Sequence, residues 1–299
     1  MNIVKSYNNM SSKFKEYISS ISRYQGPYDI IESNEAQIFA FTEYIVKRHR
    51  IENVRKKYFV NESSMYRLLK SIDPNLCPEF EINDELQIIK TERYEYDLQE
   101  KVFESLYIKN IYSIRYIFKQ IVDKLYIMHS NNIFHGDVKL ENIVIKGDYT
   151  LEDFGDFELR FIDFSFSSQL ANKTDKLVCS RGTPNYAAPE IGTKLKINPF
   201  AADIWSLGSC FHSIVSGTLL YEDPLNYNKL INKTYDFYSI HNKFRIKGEE
   251  LSFQTIKLFE KLIYGCCNID PEKRWAIEQV KRFVDKELDP PIISDNIFD

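Results

Sequence analysis

IFHGDVKLENIVI spans Ile133–Ile145 and sets four polar side chains, His135, Asp137, Lys139 and Asn142, between two apolar runs. Ahead of it, Ile111–Ser130 places Ile114, Ile117, Phe118, Ile121, Val122, Leu125 and Met128 on one helical face. Behind it, Ile143-Val144-Ile145 reads as a short buried strand. The chain therefore runs from an amphipathic helix through a polar loop into a strand. A loop anchored at both ends by buried elements can hold polar groups in fixed positions.

Working outward from this loop, the character of the chain changes near residue 95. Before it the sequence is strand-rich. Residues 11–24 place Phe14, Tyr17, Ile18 and Ile21 at helical spacing, and Gly26-Pro27 ends that helix. Strands are expected at Tyr28–Ile31, Gln37–Phe41, Glu43–Lys47 and Glu85–Ile89, with a helix over Asn61–Ile72 closed by Asp73-Pro74. After residue 95 the sequence is mostly helical. The pattern predicts an α+β, bilobal architecture: a helical extension over 1–26, a small β-rich lobe over 27–94 and a larger helical lobe over 95–299. A cleft between lobes is a common place for a small ligand.

The bulk numbers set outer limits. The chain has 299 residues, 43% hydrophobic and 27% charged, with a formal net charge of −4. That balance argues against direct nucleic-acid binding by bulk electrostatics. The basic run Lys47–Lys57 reads as a solvated face. Five cysteines, Cys77, Cys179, Cys210, Cys266 and Cys267, show no metal-ligand spacing and suit free thiols in a reducing compartment. The first residues lack a signal-peptide core, and no apolar run approaches the ~18 residues of a membrane span. The expectation is an intracellular, cytoplasmic protein with no membrane association. The sequence carries no sign of its oligomeric state.

Three further stretches accompany the loop, in order: GTPNYAAPE at Gly182–Glu190, ADIWSLG at Ala202–Gly208 and DPEKRW at Asp270–Trp275. With H-x-D-x-K-x-x-N they resemble the eukaryotic-type protein kinases over residues ~110–280. The resemblance implies a serine/threonine protein kinase using ATP and Mg2+ on protein substrates. Asp137 would orient the attacking hydroxyl and accept its proton, and Lys139 would neutralise the transferring phosphate. Thr183 would bond the catalytic loop, as in serine/threonine-directed members. Glu190 would pair with Arg274, and Asp203 would bond the loop backbone.

Asp-Phe occurs twice in LEDFGDFELRFIDFS, Leu151–Ser165, and the family's metal-binding aspartate heads such a dipeptide. Asp163 follows Glu158–Ile162, where Leu159 and Phe161 alternate with Glu158 and Arg160. That is strand periodicity, suited to pairing with Ile143–Ile145. Asp153 follows a stretch without it. Asn142 and Asp163 are therefore the expected metal ligands, both hard oxygen donors suited to Mg2+. Residues 146–157 become an acidic hairpin insertion whose Asp-Phe-Gly is a decoy.

The first lobe matches less well. Lys47 in EYIVKR stands where the phosphate-binding lysine belongs, and Glu62, 15 residues on, is its expected ion-pair partner. Thr91 would be the gatekeeper, Glu92–Tyr94 would offer backbone groups to adenine, and Asp97 would contact ribose. The phosphate loop falls on IESNEAQIF, Ile31–Phe39, with Glu32, Asn34 and Gln37 in place of glycines. Side chains there intrude where backbone amides should approach phosphate. This departure keeps open an alternative, a pseudokinase acting as a binding or scaffolding module.

Two more departures mark the second lobe. Gly136 replaces the arginine that normally receives a phosphorylated activation segment, so a phosphate on Ser167, Ser168, Thr174 or Ser180 would lack its usual partner. Ser165 replaces a glycine. Lys173, Lys176 and Arg181 hint at acidic or pre-phosphorylated targets. The composition bias and the His-Gly-Asp loop also resemble kinases of large DNA viruses.

Overall fold

The structure, a computed structural model, describes residues 12–21, 29–32, 36–49, 56–103, 111–147, 157–179, 182–220 and 253–288. The chain divides into two compact units, Met1–Tyr94 and Glu95–Asp299.

The first unit is built on an antiparallel sheet. Its strands are β1 (Asp29–Glu32), β2 (Ala36–Ala40), β3 (Tyr44–His49), β4 (Phe80–Asn83) and β5 (Ile88–Glu92), in the order β1-β2-β3-β5-β4. Side chains alternate across β3. Val46 faces helix α1 (Ser12–Ile21), whose Phe14 and Ile18 complete a buried cluster with Phe39, Phe41 and Ile88. The Phe14 and Phe39 rings lie 5.0 Å apart, and the Arg48 guanidinium sits 4.6 Å over Phe14. Lys47 and His49, on the other face of β3, meet Glu62 of helix α2 (Lys56–Ile72).

Helix α2 begins five residues before the expected Asn61. Phe59 is buried and extends the i, i+3, i+4 series of Glu62, Tyr66 and Leu69, which draws the first turn into the packed face. Strand β5 lies later than the expected Glu85–Ile89, because residues 84–87 form the turn from β4 and Gln87 takes φ 53° there.

The second unit begins with β6 (Tyr96–Asp97), α3 (Leu98–Phe103) and α4 (Ile111–Ser130). The predicted apolar face of α4, Ile114 through Met128, is fully buried. β7 (Ile133–Phe134) leads into the polar loop, and β8 (Ile143–Lys146) leaves it after a 3-10 turn at Leu140–Asn142. β9 (Glu158–Phe161) pairs antiparallel with β8, Ile143 opposite Phe161 and Ile145 opposite Leu159, as its alternation predicted. β6 completes this three-stranded sheet. The Asp153-Phe154-Gly155 copy lies outside the described residues. Short pairs follow: β10 (Ser168–Gln169) on β7, and β11 (Leu177–Val178) on β12 (Lys196–Ile197).

Helix α5 (Pro199–Ser216) runs through the centre of this unit with Trp205 fully buried. The Asn198 side chain caps it by accepting from the amides of Phe200 and Ala201, and Pro199 at the first helical position needs no partner. Helices α6 (Phe253–Cys266) and α7 (Ile277–Phe283) pack around it and α4, and α7 runs into a π-helical turn at Val284–Leu288.

Candidate active site

Three side chains, those of Thr183, Lys139 and Asn142, converge on the Asp137 carboxylate and its loop. Oδ1 accepts from the Thr183 amide at 3.0 Å and the Thr183 hydroxyl at 2.9 Å. Oδ2 lies 3.2 Å from Lys139 Nζ and accepts from Asn142 Nδ2 at 3.2 Å. Lys139 Nζ also donates to Thr183 Oγ1 at 3.0 Å. Asn142 Nδ2 further donates to the Asp137 carbonyl at 2.9 Å, which folds the loop back on itself. Asp137 is buried, 8% exposed, so bulk water screens its charge little.

The loop is hung on Asp203 of α5. This buried carboxylate accepts from the His135 amide at 2.6 Å and the Gly136 amide at 2.9 Å, and His129 Nε2 lies 3.1 Å away. The sequence reading anticipated Asp203 and missed His129, which stands at the end of α4 with no motif to mark it. His135 is wholly buried, and that burial holds its imidazole below the usual histidine range. Its Nδ1 accepts from the Asp137 amide at 3.3 Å, so the ring serves as a fixed wall of the loop.

Asp163 follows β9 directly. The Ile162 amide donates to the Asn142 carbonyl at 3.0 Å, which ties the residue before Asp163 to the residue that ends the catalytic loop. Asp163 takes the left-handed conformation, φ 60° and ψ 70°, and its Oδ1 accepts from Ser165 Oγ at 2.8 Å. Ser165 thus fixes the carboxylate. The Asn142 amide nitrogen is committed to Asp137, which leaves its carbonyl oxygen as the donor for a cation. Among the described residues no cluster of three or more His, Cys, Asp or Glu could hold a metal alone. Asn142 with Asp163 fits the Mg2+ pattern, in which one or two protein oxygens share the ion with nucleotide phosphates.

Gly136 has φ 82°, and a Cβ built on it would stand 2.7 Å from the Phe166 carbonyl oxygen. The glycine is a conformational requirement as well as a missing arginine. Ser167 is buried, its hydroxyl donating to the His135 carbonyl at 2.7 Å, which withdraws it from the expected phosphorylatable set. Ser180 and Arg181 lie outside the described residues. Lys173 and Lys176 are engaged by Glu278 at 2.5 Å and Glu272 at 2.9 Å. Both pairs are solvent-exposed.

In the first unit, Lys47 Nζ lies 2.9 Å from both oxygens of buried Glu62. Thr91 sits in β5 opposite Ile45 and Phe80. Expected adenine contacts along Glu92–Tyr94 are narrowed, because the Glu92 amide donates to Glu79 and the Arg93 amide to Glu43, within the unit's own backbone. In the second unit, the Asp97 carboxylate caps α3 by accepting from the Glu100 amide at 2.9 Å. Burial raises it, to about 6. Of the phosphate loop, residues 33–35 lie outside the described residues, and β1 and β2 pair up to Glu32 opposite Gln37.

The sequence profile of the protein kinase domain matches residues 26–283. The chain belongs to the protein kinase family. Similar proteins include the serine/threonine-protein kinase PLK4 of Drosophila willistoni, 31% identical over 166 residues, which are 56% of this chain and 19% of that protein. The kinase fhkC of Dictyostelium discoideum is 33% identical over 171 residues, 55% of this chain and 26% of that protein. A probable serine/threonine-protein kinase of Dictyostelium discoideum is 28% identical over 249 residues, 77% of this chain and 26% of that protein. The chain spans about a quarter or less of the length of these relatives. As a kinase domain it carries the family's buried ion pair: Arg274 Nη1 and Nη2 reach the two Glu190 oxygens at 2.7 and 3.1 Å. Helix α1 precedes the matched region, yet it packs into the core of the first unit.

Proposed function

We propose that this protein is an active serine/threonine kinase, transferring the γ-phosphoryl group of ATP to hydroxyls of protein substrates. The observation that carries the reading is the Asp137 carboxylate, held by Thr183, Lys139 and Asn142 in one fixed orientation. Phosphoryl transfer demands positioning and charge neutralisation more than covalent chemistry. A serine or threonine hydroxyl placed at Asp137 attacks the γ-phosphorus, its proton passes to the carboxylate, and ADP leaves. Lys139 sits beside the developing charge. Lys47, steadied by Glu62, would hold nucleotide phosphates. Mg2+ supplies charge neutralisation on the phosphates when bound, and Asn142 and Asp163 would hold it. The Lys139–Thr183 contact beside Asp137 favours hydroxyls on serine or threonine.

The second reading, a scaffold retaining the fold, rests only on the sequence, which has Glu32, Asn34 and Gln37 where glycines belong. One experiment separates the two. Wild type and Asp137→Ala are incubated with Mg-ATP and a generic protein substrate. Phosphoserine or phosphothreonine made by wild type alone is the expected result. No transfer by folded wild type, together with no thermal stabilisation by Mg-ATP, would establish the scaffold instead; a ligand at 100 times its Kd should add ~2.7 kcal/mol.

A further inference from the structure

We infer that His49 is a positioning residue for Glu62, gripping the carboxylate from the same strand that presents Lys47. The inference rests on the kinase reading of the Lys47–Glu62 pair. Residues 47 and 49 are two apart on β3, so their side chains leave the same face of the sheet. Glu62 and Phe59 are three apart on α2 and share the face that meets it. Nε2 of His49 lies 2.9 Å from Glu62 Oε2, and both side chains are 1% exposed. The imidazole edge packs across the Phe59 ring at 5.7 Å. The close nitrogen is not aligned for a straight hydrogen bond, and Nδ1 has no hydrogen-bond partner among the described residues. A buried imidazole with neither nitrogen hydrogen-bonded is costly to keep. Among the described residues its one close charged contact is Glu62.

The consequence concerns Lys47. A buried carboxylate needs its charge matched from both oxygens. With His49 against Oε2, Lys47 shares that task and keeps its ammonium available to nucleotide phosphates. Without His49, Lys47 alone must answer the carboxylate, and its hold on the nucleotide weakens. The effect belongs in KM for ATP more than in kcat.

The test compares His49→Leu, His49→Asn and His49→Gln with wild type. Gln can reach the carboxylate with its amide nitrogen, Asn is polar but too short, and Leu fills the space without a donor. Leu and Asn are expected to raise KM for ATP about tenfold, equivalent to ~1.4 kcal/mol, with Gln close to wild type. The polar Asn variant decides the matter should Leu fail to fold. Equal effects of Gln, Asn and Leu, or lowered melting temperatures with KM unmoved, would overturn the inference. Should wild type itself be inert, the kinase reading fails separately, and melting of the nucleotide-free protein still tests the contact. Non-additive effects of His49→Asn and Glu62→Gln support it, and additive ones overturn it.

Discussion

Replacing Gly136 tests whether the loop conformation or the missing guanidinium explains this position. An L-residue at φ 82° carries a backbone cost of roughly 1–3 kcal/mol. The added Cβ would also stand 2.7 Å from the Phe166 carbonyl oxygen and 3.1 Å from its carbonyl carbon, atoms that move only with the backbone. Such overpacking costs about 1–3 kcal/mol more. The total is roughly 2–6 kcal/mol, or on the order of 10 °C of melting temperature at ~2–4 °C per kcal/mol for a chain of this size. A cavity of about 190 Å³ adjoins Gly136, lined also by Leu177, Cys179 and Ala202, so the far end of an arginine has room. The obstacle is Cβ itself. Gly136→Ala and Gly136→Arg should therefore lose similar stability, measured by calorimetry on both proteins. An alanine variant melting with wild type would refute the argument and reduce Gly136 to an absent arginine.

Arg274→Ala leaves Glu190 without its bidentate partner and removes donors to Ala201 and Asn268, so about 3–5 kcal/mol should be lost in urea unfolding; a loss under ~1 kcal/mol would mean that the pair is solvated. Phe14→Ala should cost about 3–5 kcal/mol in the same assay if α1 is part of the core of the first unit, and close to nothing if it is a detachable extension. Asp97 is raised in the fold, to about 6, chiefly by burial. Its contribution is full below ~4, the unfolded value, and is lost as pH rises through about 6. Asp97→Asn, which can still cap α3, should therefore gain melting temperature over wild type at pH 7.5 and not at pH 4; an equal gain at both would contradict the shift. Alanine at Ser168, Thr174 and Ser180 together should leave phosphotransfer near wild type, and its loss in folded protein would show that the segment needs a phosphate.

Much of the second unit was legible because its signals are local or periodic. The alternation at Glu158–Phe161 predicted β9, β9 fixed which Asp-Phe stands beside Asn142, and the observed register of Ile143 with Phe161 follows from the same period. The apolar face of α4 was legible for the same reason. Other features depend on through-space meetings that spacing does not encode. Lys173 and Glu278 are 105 residues apart, so their exposed pairing could not be read from spacing. The φ of Gly136 depends on where Phe166 comes to rest. The Glu92 amide looked available until β4 and its neighbours claimed it, because backbone hydrogen bonds leave no trace in residue type. The start of α2 was missed because the Asp73-Pro74 break that ends it is a sharper signal than any residue type at its beginning.

The departures from family pattern in the second unit form one arrangement. Asp163 in the left-handed region turns the chain into the 3-10 turn Phe164–Phe166, and Ser165 Oγ holds the Asp163 carboxylate. That turn carries the Phe166 carbonyl against the Cα of Gly136, an approach that only a residue without Cβ permits. Ser167 then closes the contact with its hydroxyl on the His135 carbonyl. The catalytic loop and the start of the segment after Asp163 are thus joined by close backbone packing and neutral hydrogen bonds. Here the parts that join are present in the unmodified chain. A Cβ at 136 would meet the Phe166 carbonyl, so the glycine belongs to the same close junction that Ser165 and Ser167 hydrogen-bond on either side of Phe166.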